Sequence, residues 1–256
     1  MSISTDLAGK RVLVTGASTG IGAAAAKAFA KAGCRVAVHY NASRDAAEGV
    51  AAGIRSDGGS ACLVSGDVRT SAATRRVVDQ AAEALGGLDI LVNNAGGLVR
   101  RVPVAEIDDA TFDEIVNLNV RSMVAGCSAA VPHLRKAGGG TIINVTSIAA
   151  RVGGGPGAAL YASAKAFVST FTRGLARELA GDRIRVNAVS PGVIVTPFHE
   201  RYSTPQMLET FRQSIPMGRL GSAEECAGTF VFLASDALSG YVTGQVIEVN
   251  GGQLMP

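Results

Sequence analysis

The apolar positions fall into short runs of two kinds that alternate along the chain. Lys10–Thr15 (KRVLVT), Arg35–Tyr40 (RVAVHY), Ala61–Ser65 (ACLVS), Leu88–Val92 (LDILV), Thr141–Thr146 (TIINVT), Arg183–Val189 (RIRVNAV) and Gln245–Asn250 (QVIEVN) are brief and rich in β-branched residues. Their apolar side chains are largely consecutive rather than alternating, which predicts strands covered on both faces. The segments Gly20–Ala32, Ser43–Ser56, Thr70–Leu85, Thr111–Lys136, Tyr161–Ala180, Thr204–Ser214 and Ala223–Ala234 predict helices, several of them closed by glycine. Alternating strand and helix predicts an α/β fold: a doubly wound parallel sheet of about seven strands with helices on both faces. Ligands of such sheets bind beyond the carboxyl ends of the strands, so chemistry is expected just after each strand.

No Pro- or Ser-rich linker, charge run or internal repeat divides the chain. Residues 1–256 therefore read as one dinucleotide-binding and catalytic domain. A chain of this length buries about 70% or more of its unfolded surface and needs no staple. Lys plus Arg less Asp plus Glu is 24 − 21 = +3, with no basic block, so neither nucleic acid nor a membrane surface is an expected partner. Cys34, Cys62, Cys127 and Cys226 are far apart, and the three histidines have no HExxH spacing, so no metal is expected. The start MSISTDLAGKR lacks a basic stretch leading into an apolar run; a reducing cytoplasm is the expected location. Glycine, at 32 of 256, exceeds the usual ~7% and gathers at the ends of apolar runs, where backbones turn or approach ligands.

After the first strand comes Thr15-Gly16-Ala17-Ser18-Thr19-Gly20-Ile21-Gly22, opening a helix. The glycines are spaced GxxxGxG. Gly16 permits a sharp turn, Gly20 lets backbone approach a pyrophosphate, and Gly22 allows close helix–strand packing. The N–H groups of the helix start face the anion. The second strand ends at Tyr40-Asn41, followed by Ala42, Ser43 and Arg44, without the carboxylate that NAD-preferring sites use to hold the adenosine ribose. Asn41, Ser43 and Arg44 as donors favour NADP, with NAD as the alternative. Ser43 capping the next helix and a solvated Arg44 are the structural alternatives.

Tyr161 and Lys165 are four apart at a helix start and share a face. An ammonium within ~5 Å favours the phenolate by ~3 kcal/mol, about two pKa units, which brings tyrosine towards proton exchange near neutrality. Ser147 follows the fifth strand, Asn93-Asn94-Ala95-Gly96 the fourth, and Pro191-Gly192 with Thr196 the sixth. Asn119 sits inside a predicted helix, where propensity alone disfavours it.

Together TGASTGIG (15–22), Asp67-Val68, NNAG (93–96), Asn119, Ser147, YASAK (161–165), PGVIVT (191–196) and TGQVIEVNGG (243–252) resemble the short-chain dehydrogenase/reductase family, in its single-domain branch. The resemblance spans almost the whole chain and implies a Rossmann-type fold. It implies that Tyr161 exchanges the proton, that Lys165 lowers its pKa and bonds the nicotinamide ribose, that Ser147 polarises a carbonyl, and that Asn119 holds a water in a proton relay. It places Gly16, Ser18, Thr19, Gly20, Ile21 and Gly22 on the pyrophosphate, Asp67 and Val68 on adenine, Asn94, Ala95 and Gly96 on the adenosine-side ribose region, and Pro191, Gly192, Ile194 and Thr196 on the nicotinamide amide. Two departures stand out. Thr19 replaces an Arg common in NADP-preferring relatives, and Ser147 to Tyr161 is 161 − 147 = 14 positions, slightly longer than usual, with Gly153-Gly154-Gly155-Pro156-Gly157 between.

The implied reaction is hydride transfer between NADP(H) and a carbonyl or secondary alcohol such as a 3-oxoacyl thioester, keto ester or sugar-like ketone. A non-catalytic nucleotide-binding protein on this fold is the competing reading, against which the four intact residues argue. An epimerase of the longer branch needs an appended domain that 256 residues do not accommodate. Arg100-Arg101 reads as an exposed pair, an anion contact being the alternative. Phe198–Gly218 matches the region that forms a substrate lid in relatives. His39, His133 and His199 receive no role. Small residues on Thr111–Lys136 and Tyr161–Ala180 match the helices through which relatives form homodimers and homotetramers.

Overall fold

The computed structural model describes residues 5–256. Its elements in chain order are β1 (Arg11–Val14), α1 (Gly20–Lys31), β2 (Arg35–Tyr40), α2 (Arg44–Ser56), β3 (Ser60–Ser65), α3 (Ser71–Leu85), β4 (Ile90–Asn93), α4 (Asp109–Val116), α5 (Ser122–Lys136), β5 (Gly140–Val145), α6 (Ala149–Val152), α7 (Ala159–Leu179), β6 (Ile184–Pro191), β7 (Ile194–Val195), α8 (Pro197–Tyr202), α9 (Pro205–Ser214), β8 (Gly221–Ser222), α10 (Ala223–Ala234), α11 (Asp236–Ser239) and β9 (Val246–Val249). Seven strands form one sheet in the order β3-β2-β1-β4-β5-β6-β9. All its pairings are parallel, so every strand delivers its carboxyl end to the same side.

The consecutive apolar residues of each strand have a simple cause. Side chains alternate across a strand, so a sheet covered on both faces needs apolar residues at every position. Val12 and Val14 enter one core with α1, α2 and α10, whereas Leu13 between them enters the other with α3, α5 and α7. Val36 and Val38 against Ala37, and Ile143 against Ile142, divide in the same way. Helix ends carry the expected chemistry. Thr70, Asp108 and Thr204 accept from the backbone of their helices, and Ser222 with Glu225 completes a capping box on α10.

The helix predicted over Thr111–Lys136 is not continuous. A π turn at Asn117–Arg121 separates α4 from α5. One extra residue in a turn leaves the amphipathic pattern on both sides nearly intact, which is why periodicity reads straight through it. The two-residue pair β7–β8, and α6, α8 and α11, are too short for periodicity to register. All four cysteines are unpaired, and burial pushes the Cys34, Cys127 and Cys226 thiols up to about 12. No described helix is long and apolar enough to cross a membrane, and no described group of three or more His, Cys, Asp or Glu residues could hold a metal ion.

Candidate active site

The glycine turn runs from β1 into α1. Gly16 and Gly20 hold φ of 62° and 56°, the left-handed region that favours glycine. A Cβ on Gly22 would strike the Gly16 carbonyl oxygen and Asn94 Nδ2, so the third glycine is required by packing. Thr19 stands at the N-cap of α1 without a side-chain capping bond, and the first helical turn carries no acid. The N–H groups at the start of α1 thus keep their positive end for an outside anion, which fits a dinucleotide pyrophosphate.

Two side chains brace this turn. Asn94 Nδ2 donates to Thr15 O (2.9 Å) and Gly16 O (3.0 Å), while Thr15 Oγ1 accepts from Asn94 N and Ala95 N at 3.0 Å each. The second is His39, for which no role is expected from the residue pattern. Gly16 N donates to His39 Nδ1 at 3.0 Å, so the ring proton sits on Nε2, which donates to Gly66 O at 3.0 Å. Burial lowers the His39 pKa and keeps the ring in this neutral form. The available signal was a polar residue inside the apolar strand RVAVHY.

Ser147 leaves the end of β5, and its Oγ accepts from Ala149 N at 3.1 Å. Tyr161 and Lys165 stand one turn apart on α7, and Lys165 Nζ donates to Val145 O at 2.9 Å. That nitrogen lies 5.8 Å from the centroid of the Tyr161 ring. Asn119 is buried in the π turn. Its Nδ2 donates to Gly97 O and Ile115 O (both 2.9 Å), and its Oδ1 accepts from Gly97 N (3.0 Å). Gly96 closes the group, since a Cβ there would meet Asn119 Oδ1 and Lys165 Nζ, each at 2.9 Å.

Ser147, Tyr161 and Lys165 line one cavity of about 370 Å³ together with Gly16, Thr19, Gly20, Ile21, Gly22, Asn94, Gly96, Pro191, Gly192, Ile194 and Thr196. Ser18, Asn41, Ser43, Arg44, Asp67, Val68, Ala95 and Asn119 lie outside its lining. Asn41, Ser43 and Arg44 are exposed beyond β2, and Ser43, at the N-cap position of α2, makes no side-chain capping bond. Asp67 is held by Arg69 through Nε and Nη2, Val68 is buried, and Ala95 is tied to Thr15.

The electrostatics correct one expectation. Burial pushes the Tyr161 phenol up to about 12, with the Ser147 hydroxyl pulling the other way. Burial also brings the Lys165 ammonium down to about 8. The expected lowering of Tyr161 by Lys165 is absent here. Lys165 is buried and Tyr161 half-buried, so loss of water disfavours ammonium and phenolate alike, and with Nζ 5.8 Å from the ring centroid the pull that acts on the phenol is that of Ser147. A second expectation also changes. Arg101, read as exposed, is half-buried and lines the cavity.

A family model described as enoyl-(acyl carrier protein) reductase matches residues 16–253. The chain is 39% identical to a 3-oxoacyl-[acyl-carrier-protein] reductase of Synechocystis over 98% of this chain and 99% of that protein. The chain belongs to the short-chain dehydrogenase/reductase family. A 3beta-hydroxysteroid dehydrogenase 1 of Eggerthella lenta, also similar, is 37% identical over 98% of this chain and 95% of its own length. Among solved structures, a Burkholderia cenocepacia short-chain dehydrogenase in complex with NADP superposes with a TM-score of 0.89 at 36% identity, covering 96% of this chain and 98% of that one. An NADH-dependent reductase responsible for alginate metabolism gives 0.90 at 39% identity, covering 98% and 99%. The protein is thus an NAD(P)-dependent short-chain dehydrogenase/reductase with the Rossmann-type sheet of that family.

Proposed function

We propose that this enzyme moves a hydride between NADP(H) and a carbonyl or secondary alcohol, with Tyr161 as the acid/base. The observation that carries this reading is the meeting of Ser147, Tyr161 and Lys165 in one cavity with the glycine turn. When bound, the nicotinamide ring supplies or accepts the hydride. Ser147 and Tyr161 hold the carbonyl oxygen between two hydroxyls. Tyr161 gives its proton to that oxygen in reduction and takes one in oxidation. With the phenol pushed up to about 12, it is protonated at neutral pH, the form that reduction requires. Lys165 orients the ribose and, as ammonium, supplies the local positive charge. Asn119 has its side chain engaged by Gly97 and Ile115, so the relay water would be held from its main chain, where the π turn loosens the helical ladder.

NADP is favoured over NAD by the end of β2, which offers Asn41, Ser43 and Arg44 and no carboxylate. The uncapped Ser43 hydroxyl and the exposed Arg44 are free to meet a 2′-phosphate. Gly16, Ser18, Thr19, Gly20, Ile21 and Gly22 would hold the pyrophosphate, Asn94, Ala95 and Gly96 the adjoining ribose, and Pro191, Gly192, Ile194 and Thr196 the carboxamide. Asp67 would reach adenine while remaining on Arg69, beside Val68. A 3-oxoacyl thioester, a keto ester and a sugar-like ketone are the substrate candidates, supported by the 3-oxoacyl reductases and the alginate-related reductase among the similar proteins. One domain over residues 1–256, a cytoplasmic location and a homodimer or homotetramer complete the reading.

The test is Tyr161→Phe, assayed by nicotinamide absorbance on a panel of ketones with NADPH and NADH. Loss of about 10²–10⁴-fold in kcat is expected, with nucleotide affinity retained. Near-full activity overturns the role of Tyr161, and a higher kcat/KM with NADH overturns the cofactor preference.

A further inference from the structure

The adjacent arginines 100 and 101 have opposite fates. Arg100 is neutralised outside the cavity, bonding Glu114 Oε2 at 2.9 Å and Thr111 Oγ1 at 2.6 Å. Arg101 turns to the cavity mouth. Its Nε donates to Tyr202 O (3.1 Å) and its Nη1 to Pro156 O (2.9 Å). Two of five guanidinium N–H donors are thereby used, and the rest, including both on Nη2, have no partner among the described residues. Among the described residues no Asp or Glu lines the cavity, so none of them compensates this charge there.

The backbone is built to aim it. Val99 lies between the two arginines' segment and Leu98 with φ of 65°, an outlying conformation for a β-branched residue, and Arg100 N closes the turn on Leu98 O at 2.8 Å. Across from it, Gly157 has φ of 71°, and its carbonyl accepts from Val102 N at 2.9 Å. A Cβ on Gly157 would meet Val102 N at 2.9 Å and Arg101 Cβ at 3.0 Å. The lengthened glycine-rich rim therefore seats the backbone of Arg101, and a strained turn directs its side chain inward.

We infer that Arg101 binds a carboxylate on the substrate, so that the site takes oxo acids in preference to their esters and thioesters. This rests on the carbonyl-reductase reading and departs from its substrate candidates in one respect, setting the free oxo acid ahead of the ester and the thioester. A carboxylate entering a mouth walled by Leu98, Val152, Phe198 and Phe211 loses water and needs a paired cation. Lys165 lies with Tyr161 and bonds Val145 O, leaving Arg101 as the cation at the rim. A guanidinium already fixed by two carbonyls presents its free edge with little ordering cost on binding.

The experiment compares kcat/KM for acetoacetate, methyl acetoacetate and acetoacetyl-coenzyme A with NADPH. The wild type is expected to favour the acid by at least about tenfold, the scale of a charge-assisted hydrogen bond. Arg101→Gln should collapse that preference, chiefly through KM, and Arg101→Lys should restore part of it. An ester preferred by the wild type, or an equal loss on acid and ester in Arg101→Gln, overturns the inference; the second result would make Arg101 a mere clamp between rim and lid. Calorimetric titration of 3-hydroxybutanoate into the NADP-loaded protein reads the site without turnover. Binding should weaken at least about tenfold in Arg101→Gln, and unchanged binding overturns the inference. Arg101-dependent binding without turnover of any ketone sinks the reductase reading and leaves this one standing. Turnover of ester and thioester without an acid preference does the reverse.

Discussion

Lys165 shows how a single enclosed side chain makes the fold answer to pH. Its ammonium is buried, makes one bond to a carbonyl and falls to about 8 from an ordinary 10.5. Holding it charged in the nucleotide-free protein costs on the order of 3 kcal/mol. A folded pKa below the unfolded one means that the unfolded chain binds more protons between about pH 8 and 10.5. Stability conferred through this residue therefore rises with pH across that window. The thiols of Cys34, Cys127 and Cys226, held up to about 12, act in the opposite sense from about pH 9, so urea denaturation of the nucleotide-free protein between pH 8 and 10 should show a slope against pH more positive than that of Lys165→Met. An identical slope in the two proteins refutes the buried-cation account. The spacing of Tyr161 and Lys165 revealed the pair but not its enclosure. Four residues along a helix fix a shared face, whereas desolvation depends on β5, the NNAG loop and α7 closing together. His39 was illegible for the same reason: both its partners, Gly16 N and Gly66 O, come from other turns.

At the scale of the element, glycine divides into two kinds that the sequence writes identically. Gly22 opens α1 against the backbone of Gly16, and Gly49 sits in the exposed side of α2 with nothing within 4 Å of a Cβ. Gly22→Ala must shift backbone or Asn94, at a cost of about 1–3 kcal/mol, and should weaken NADP binding by more than about tenfold. Gly49→Ala should instead stabilise by about 0.5–1 kcal/mol, because helix interiors favour alanine. Urea midpoints and nucleotide fluorescence titration check both, and equal effects from the two substitutions would refute this division. The turn was legible because it joins a strand to a helix in a fixed spacing. The π turn was not, although Asn119 in a helical stretch was its one trace. A bulge of a single residue changes where a side chain points without changing which residues are apolar.

For the molecule as a whole, the parallel sheet explains why so much of the site could be read in advance. Every strand ends on one side, so residues following β1, β4, β5 and β6 had to gather there, around the point where strand order reverses between β1 and β4. Apart from the predicted helix α9, the stretch from β7 to β8 is built from two-residue strands and the six-residue α8 and carries no comparable period, and the aiming of Arg101 by Val99 and Gly157 depends on backbone conformations that composition does not encode. The same architecture leaves one face to be explained. On α7, the inward side bears Tyr161 and Lys165, while Phe167 is 44% exposed and stacks on Phe171 at 5.7 Å between centroids. Aromatic pairs in water gain by being covered, and this pair projects from a helix with small residues. A second copy of the chain packed here would shield α7 and stiffen the segment that carries Tyr161 and Lys165. Sedimentation at micromolar concentration should show a dimer or tetramer for the wild type and a smaller species for Phe167→Glu, with kcat reduced in the variant although position 167 lies outside the cavity lining. A wild type that sediments as a monomer, or a Phe167→Glu protein of unchanged size, removes the oligomer from the account while leaving the cavity chemistry of each chain untouched.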